Sequence, residues 1–119
     1  MLIEVARHRR ASLLTSWEAL ADDPTQGYYS PVSAAELWRG VRSGEEPVLD
    51  GMFAALTCLV IDDATGRKAG DFLRRYARSH GLEIADALIA ATAAVHELAL
   101  WTCNVKHYPM PDVKFYSPR

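Results

Sequence analysis

The sequence predicts an α/β fold in which a short parallel sheet carries helices on its faces. Short apolar runs typical of buried strands alternate with helical segments along the chain. The segment 64–80 is amphipathic and is followed by Gly81, which is typical of a helix end. A second, more apolar helix then leads through a short apolar run into the polar cluster Thr102-Cys103-Asn104. This alternation of strands and helices favours a parallel sheet.

Hydrophobic spacing and turn residues place the individual elements. We predict helices at 2–21, 33–41, 48–56, 64–80 and 83–98, strands at 27–32, 58–61, 99–102 and 113–116, and a turn at 105–108. Asp22-Asp23-Pro24 ends the first helix. Ser33 and Glu36 have the spacing of a capping box, so we expect Ser33 to be the N-cap of the second helix.

Length and composition indicate one domain over residues 1–119. Apolar residues make up 50% of the 119 and charged residues 24%, which is ordinary for a globular protein with a modest core. The net charge of −2 excludes a global basic field, so nucleic acid would be bound through local arginine clusters or a metal. The arginines of segment 64–80 are more typical of a solvated helix face.

The remaining composition predicts a cytoplasmic protein. Cys58 and Cys103 lie in apolar segments without metal-binding spacing, so we expect reduced core thiols. The four histidines lack the spacing of a zinc site. No apolar run approaches the ~20 residues of a membrane helix, and we expect neither a signal peptide nor a membrane partner.

Glu36, Asp86 and Asn104 are candidate site residues, since each lies near a helix start or after a strand. Each also has a structural explanation. Glu36 fits the capping box with Ser33, and Asn104 fits a cap of the following turn. Asp86 would favour the helix macrodipole by ~0.3–1 kcal/mol, but Glu83 lies nearer the helix start and serves the dipole equally well. A functional role for Asp86 is therefore favoured, and an asparagine oxygen is a competent Mg²⁺ ligand.

Three segments together resemble a known family. They are Ser33-Ala-Ala-Glu36-Leu, Gly81-Leu-x-x-Ala-Asp86-Ala-Leu-Ile-Ala-Ala and Thr102-x-Asn104-x-x-His107-Tyr108. In this combination the chain resembles PIN-domain ribonucleases, and in particular the VapC-type toxins of bacterial toxin–antitoxin pairs. The resemblance covers nearly the whole chain, and its more specific part is the second segment combined with the third.

The resemblance implies a PIN-like three-layer α/β/α fold with acids gathered at the carboxyl edge of its sheet. It implies a type II toxin that cleaves RNA with Mg²⁺ or Mn²⁺ and that a VapB-like antitoxin neutralises. By position, Glu36 and Asp86 are implied as metal ligands and Asn104 as a further catalytic residue. Ser33 and Thr102 are implied as supporting residues. Phosphodiester hydrolysis gains from a cation that neutralises phosphoryl charge and activates water, which agrees with an oxygen-rich site.

The amino terminus departs from the family pattern. Family members begin with a strand that ends in an aspartate, whereas this chain begins Met1-Leu2-Ile3-Glu4. We therefore expect the first, central strand and its aspartate to be missing, so that the domain is truncated relative to the family. One hypothesis is a misassigned start codon and a longer, active native protein. The other is a short, weakly catalytic form whose sheet gap is filled by a partner or by rearrangement, with Glu4 as a weak substitute carboxylate.

Two functions of different classes follow. The first is the metal-dependent ribonuclease, which Glu36, Asp86 and Asn104 favour. The second is a PIN-like module that binds antitoxin or RNA without cleaving, which the missing aspartate favours. A homodimer is also expected, and its candidate surface residues, which are equally typical of a core, are Trp17, Leu37, Trp38, Met52 and Phe53.

Overall fold

The computed structural model describes residues 1–3, 27–102 and 105–116. Within these ranges the strands are β1 (Leu2–Ile3), β2 (Tyr28–Tyr29), β3 (Thr57–Cys58) and β4 (Leu100–Trp101). The helices are α1 (Pro31–Arg39), α2 (Glu46–Ala54), α3 (Asp63–His80) and α4 (Ile84–Val95), with a 3₁₀ turn at Val105–His107. The strands form a parallel sheet in the order β3-β2-β1-β4, which the helices flank. The predicted α/β class is confirmed.

The first residues of the chain form the centre of the sheet. Leu2 is aligned with Tyr28 of β2 on one side and with Leu100 of β4 on the other. The Leu2 N–H donates to the carbonyl of Ala99 at 2.8 Å, and the Tyr28 N–H donates to the carbonyl of Met1 at 2.9 Å. The expectation that the central strand is missing is therefore wrong, since β1 bonds to both of its neighbours.

The same residues correct the predicted first helix. Leu2 is fully buried on one face of the sheet, while Met1 and Ile3 pack on the other face with Leu56 and Trp101. Burial on both faces is typical of a central parallel strand. Residues 2–3 are therefore strand rather than helix. The rest of the predicted helix 2–21, with Glu4 and Trp17, lies outside the described residues.

The main core lies between the sheet and the paired helices α3 and α4. Ala69 and Phe72 of α3 are buried, as the amphipathic pattern of this segment requires, and Leu73 and Tyr76 pack beside them. α4 contributes mainly small residues, which allow the two helices to approach closely along their length. Among the described residues, no helix has the length and apolar character needed to cross a membrane.

Both ends of α3 agree with the sequence. Asp62 is the N-cap, and its Oδ1 accepts hydrogen bonds from the N–H and the hydroxyl of Thr65, each at 3.0 Å. Gly81 follows the helix with φ of +63°, a left-handed conformation that glycine adopts without a Cβ clash. These caps fix where α3 ends and therefore where α4 begins.

Replacing Asp62 by alanine is expected to lower the melting temperature by a few degrees, because the Thr65 N–H loses its partner. The two Thr65 bonds lower the pKa of the Asp62 carboxyl below its usual range. A pKa that is lower in the folded than in the unfolded chain stabilises the fold at neutral pH. That stabilisation is lost as the pH falls from about 4, the unfolded-chain value, through the folded value. Thermal denaturation at neutral pH and at pH values below about 4 measures it.

Asp63→Ala is the matched control for this substitution. Within the described part of the chain, the Asp63 side chain bonds its helical neighbour Arg67, and both side chains are more than 80% exposed. Such pairs contribute little, so the control is expected to change the melting temperature less than Asp62→Ala does. An Asp62→Ala deficit of the same size at neutral and acid pH would contradict the cap assignment.

Several edges of the fold differ from the prediction. Cys58 is exposed on the edge strand β3, so it is not a buried core thiol; Cys103 lies outside the described residues. The predicted strand 113–116 contributes a single parallel bridge between Phe115 and Leu100. Leu37 and Met52 of the expected dimer surface are buried in a cluster formed by α1 and α2, and Trp38 and Phe53 pack against it.

Candidate active site

The carboxyl edge of the sheet brings the start of α1 against the end of β1. Ser30 follows β2, caps α1 by accepting the Ser33 N–H at 3.3 Å, and precedes Pro31, a favourable first helical residue. Ser33 is buried, and its hydroxyl donates to the carbonyl of Ile3 at 3.5 Å. Ser33 therefore ties α1 to the end of the central strand.

Glu36 has no capping role in this helix. Because Ser30 is the N-cap, Ser33 is the third residue of α1 and Glu36 is the sixth. The predicted capping box between Ser33 and Glu36 is therefore wrong, and with it the structural explanation for Glu36. The side chain of Glu36 is partly exposed on α1, which packs against α4.

Asp86 is the third residue of α4, and its side chain is partly buried. Burial raises the pKa of its carboxyl above the usual range, and the negative charges of Glu83 and Glu36 raise it further. A hydrogen bond from the Glu83 N–H and the nearby His107 act in the opposite direction without cancelling the rise. Asp86 thus does hold the first turn of α4, but it also shares an electrostatic environment with Glu36 from a different helix.

His107 lies close enough to Asp86 to affect the pKa of its carboxyl, and the sequence alone assigned it no role. It ends the 3₁₀ turn after β4, and its side chain is exposed near Asp86. The next residue, Tyr108, is buried and donates its N–H to the carbonyl of Val105 at 3.1 Å, which anchors the turn. The sequence shows only that His107 follows Thr102 closely, while its nearness to Asp86 depends on how the turn after β4 folds.

The remaining predicted residues lie directly after β4. Thr102 is partly buried directly after this strand. Asn104 lies outside the described residues. The structure therefore brings together Glu36 and Asp86, with Ser33 and Thr102 at the same edge.

The described donor set suits a hard divalent cation. Glu36 and Asp86 offer carboxylate oxygens, and Mg²⁺ is commonly held by one or two carboxylates together with waters and substrate phosphates. A cation would relieve the charge repulsion and the desolvation that raise the pKa of Asp86. Over residues 1–3, 27–102 and 105–116, no group of three or more His, Cys, Asp or Glu side chains is placed to hold a metal. The fit therefore rests on a carboxylate pair.

A comparison with protein families decides the classification. The sequence model of the PIN domain matches residues 2–111, which is most of the chain. The chain belongs to the PIN-domain family. This membership confirms the family resemblance of the three sequence segments.

The PIN domain is similar to curated proteins and to solved structures. It is 44% identical to Ribonuclease VapC10 of Mycobacterium tuberculosis over 82 residues, which is 68% of this chain and 62% of that protein. The chain thus spans less than two thirds of this relative's length.

Two solved structures share the fold. VapBC2 from Rickettsia felis, solved bound to a DNA fragment from its promoter, has a TM-score of 0.69, 23% identity and 98% coverage of both chains. A toxin–antitoxin complex from Klebsiella pneumoniae has a TM-score of 0.65 and 19% identity, covering 99% of this chain and 97% of that one. The parallel sheet with flanking helices is therefore the PIN fold.

Proposed function

We propose that this PIN domain is the toxin of a type II toxin–antitoxin pair, a Mg²⁺- or Mn²⁺-dependent endoribonuclease that hydrolyses RNA phosphodiester bonds. The observation that carries the proposal is the carboxylate pair Glu36 and Asp86, which converges from two helices at the carboxyl edge of the sheet. The name of the similar Ribonuclease VapC10 supports the reaction class.

In this proposal different residues bind the cation, complete the catalytic set and position the site. Glu36 and Asp86 hold the cation, and Asn104 completes the catalytic set. A divalent cation, when bound, supplies charge neutralisation for the phosphoryl group and activates a water molecule for attack. Ser33 holds α1 on the end of β1 and so fixes the helix that carries Glu36, while Thr102 supports the edge after β4.

The proposed partners follow from the same site. A VapB-like antitoxin would cover the acidic edge with a helix or arm, and the similar toxin–antitoxin complexes support that kind of partner. We further propose that residues 1–119 form one PIN-like domain that works in the cytoplasm as a homodimer. Because Leu37 and Met52 are buried, the dimer surface must use other residues.

A second candidate function is a PIN-like module that binds antitoxin or RNA without cleaving. One observation favours it: among the residues that the structure describes, the site offers two carboxylates rather than three or more potential ligands. In that case RNA would bind while the addition of Mn²⁺ would release no fragments.

Glu36→Gln is expected to reduce Mn²⁺-dependent RNA cleavage about a hundredfold, because it removes a charged ligand while keeping the size of the side chain. Cleavage of a total RNA extract is followed with Mn²⁺ and with a chelator. Thermal denaturation gives an independent measurement, because a cation that binds only the folded chain raises its melting temperature. The variant is expected to lose that increase.

Glu46→Gln is the matched control, since Glu46 is an exposed acid near the start of α2. It is expected to retain both cleavage and the increase in melting temperature with Mn²⁺. Absence of cleavage by the unmodified chain, with RNA binding retained, would favour the second candidate function. Stabilisation by Mn²⁺ that is equal in Glu36→Gln and in the unmodified chain would remove Glu36 from the site.

A further inference from the structure

The charges of α3 are distributed unevenly along the helix. In its amino half, Arg67 pairs with Asp63 at 2.7 Å, and Lys68 pairs with Asp112 at 2.7 Å. The cations of this half are therefore matched by carboxylates. An incoming polyanion would find little net charge to bind here.

The carboxyl half of α3 carries an excess of positive charge. Asp71 is shared by Arg74, at 3.2 Å, and Arg75, at 3.3 Å. Arg78 is exposed, and within the described residues no carboxylate is paired with it. Arg74 and Arg75 thus share one carboxylate while Arg78 adds a third guanidinium group, and His80 adds a fourth basic group at the helix end.

Helix stability accounts for only part of this arrangement. The macrodipole favours Arg78 and His80 in the last turn, and the pair with Asp71 favours Arg74. Arg74 and Arg78 are four residues apart, so they lie on one face, where like charges repel and destabilise a helix slightly. The side chain of Arg74 is 80% exposed. This pair therefore carries an unfavourable interaction and points into solvent.

Arg75 differs from this pair. Its guanidinium lies 5.0 Å from the ring centre of Tyr76 and donates to the Tyr76 hydroxyl at 3.0 Å, besides contacting Asp71. These contacts hold Arg75 against the helix. We define Arg74 and Arg78 as the arginine pair of α3, since they are the more freely exposed cations of this half.

The fold places the arginine pair beside the carboxylate site. Only residues 81–83 separate α3 from α4, and the two helices pack along each other, so they run antiparallel. At the far end, Lys68 of α3 and Val95 of α4 line the same cavity, as this orientation requires. The last turn of α3 therefore adjoins the first turn of α4, which carries Asp86.

We propose that the arginine pair of α3 binds the phosphates of single-stranded RNA that flank the bond held at Glu36 and Asp86. The proposal rests on the proposed function, because it assigns the residues that bind the RNA substrate on either side of that same site. A chain of net charge −2 with two carboxylates at its site repels a polyanion, so neighbouring cationic side chains help to hold the strand there. Exposed guanidinium groups suit phosphate through paired N–H donors and contribute affinity without base specificity.

The test measures RNA binding without cleavage. A fluorescein-labelled single-stranded RNA of mixed sequence is titrated with the full chain carrying Asp86→Asn, in a chelator, and anisotropy gives the affinity at several salt concentrations. Adding Arg78→Gln is expected to weaken binding about fivefold at low salt. It is also expected to reduce the slope of log affinity against log salt by about 0.7, the share of one single-strand phosphate contact.

Arg67→Gln is the matched control, because Arg67 is equally exposed on the same helix but lies at the far end and pairs with Asp63. It is expected to leave the affinity and the salt slope unchanged. If Arg67→Gln and Arg78→Gln weakened RNA binding equally, the proposal would be overturned, because the overall positive charge of the helix rather than a contact at Arg78 would then bind the RNA. In the double variant Arg74→Gln, Arg78→Gln, the slope of log affinity against log salt is expected to fall by the share of about two phosphate contacts. A double variant whose slope equals that of the parent chain would also overturn the proposal.

The outcomes separate this inference from the proposed function. If the unmodified chain cleaves RNA but Arg78→Gln binds RNA as its parent does, the arginine pair of α3 does not bind RNA, and the proposed nuclease function is retained. If Arg78→Gln weakens RNA binding but no metal gives cleavage, the arginine pair binds RNA and the proposed nuclease function is wrong. If Arg78→Gln weakens binding of an acidic peptide but not binding of RNA, the arginine pair contacts a protein partner, and the proposal of RNA binding is overturned.

Discussion

Replacing Asp86 by asparagine is expected to lower Mn²⁺-dependent RNA cleavage about a thousandfold, the size of loss typical when a charged group at a reacting centre is neutralised. The variant keeps a side-chain oxygen that can accept the Glu83 N–H, so the first turn of α4 should persist. What it loses is the negative charge that a cation needs. Cleavage is measured on the same RNA extract at equal protein concentration.

The same variant is expected to be slightly more stable, with a melting temperature at neutral pH about 2 °C higher. Burial and the neighbouring acids raise the pKa of Asp86, so its ionised form is disfavoured in the folded chain relative to the unfolded one. At neutral pH the wild-type carboxylate therefore costs stability, and asparagine removes that cost. As the pH falls through the raised pKa toward about 4, the wild-type carboxyl takes up a proton and the difference disappears.

Asp63→Asn is the control, because Asp63 lies in the first turn of α3 and makes an exposed pair with Arg67. Its cleavage rate is expected to match that of the unmodified chain. Two results would contradict the assignment of Asp86. One is wild-type cleavage by Asp86→Asn. The other is a melting temperature lowered by several degrees, which would trace the lost activity to a disturbed fold.

The sequence was most informative where several local signals agreed. α3 combines an amphipathic pattern, an aspartate that caps its start and a glycine in the left-handed conformation after its end. Each signal alone is weak, but together they place both ends of the helix within one residue. The position of Asp86 in the first turn of α4 then follows directly from where α3 ends.

The start of α1 shows where local signals compete. The Ser33–Glu36 spacing favoured a capping box, but Ser30 followed by Pro31 supplies an equally good cap three residues earlier. Proline at the first helical position, which needs no backbone donor, fits the earlier start. The error matters for the site, because an N-cap at Ser30 removes the structural explanation for Glu36. Its carboxylate is then available to form the pair with Asp86.

Convergence of the site was predictable only in part. That Glu36 and Asp86 share an edge is implied by the family resemblance, and Glu36 is among the charges that raise the pKa of Asp86. His107 could not be assigned from the sequence, because its nearness to Asp86 depends on how the turn after β4 folds back. That turn is held by Tyr108, whose burial is a tertiary property that periodicity over four residues does not show.

The largest correction concerns the chain's first three residues, and Leu2→Ala tests it. Leu2 is fully buried at the centre of the sheet, with its N–H bonded to the Ala99 carbonyl at 2.8 Å. Truncation to alanine removes the buried side chain and leaves a cavity between the sheet and α4, so the expected cost is about 3 kcal/mol. Urea denaturation followed by circular dichroism measures the free energy of unfolding.

Val60→Ala is the control, since Val60 is 75% exposed beyond β3 and its truncation is expected to cost less than about 0.5 kcal/mol. Leu2→Met keeps most of the side-chain volume and is expected to lower the free energy of unfolding by less than about 1.5 kcal/mol. This variant can therefore be measured even if Leu2→Ala does not fold. A cost for Leu2→Ala as small as that of Val60→Ala would mean that other residues occupy the centre of the sheet. The edge that carries Glu36 and Asp86 would then lack the strand end to which Ser33 ties α1. Stability at Leu2 and chemistry at Asp86 are therefore linked through the central strand, although the two residues belong to different elements.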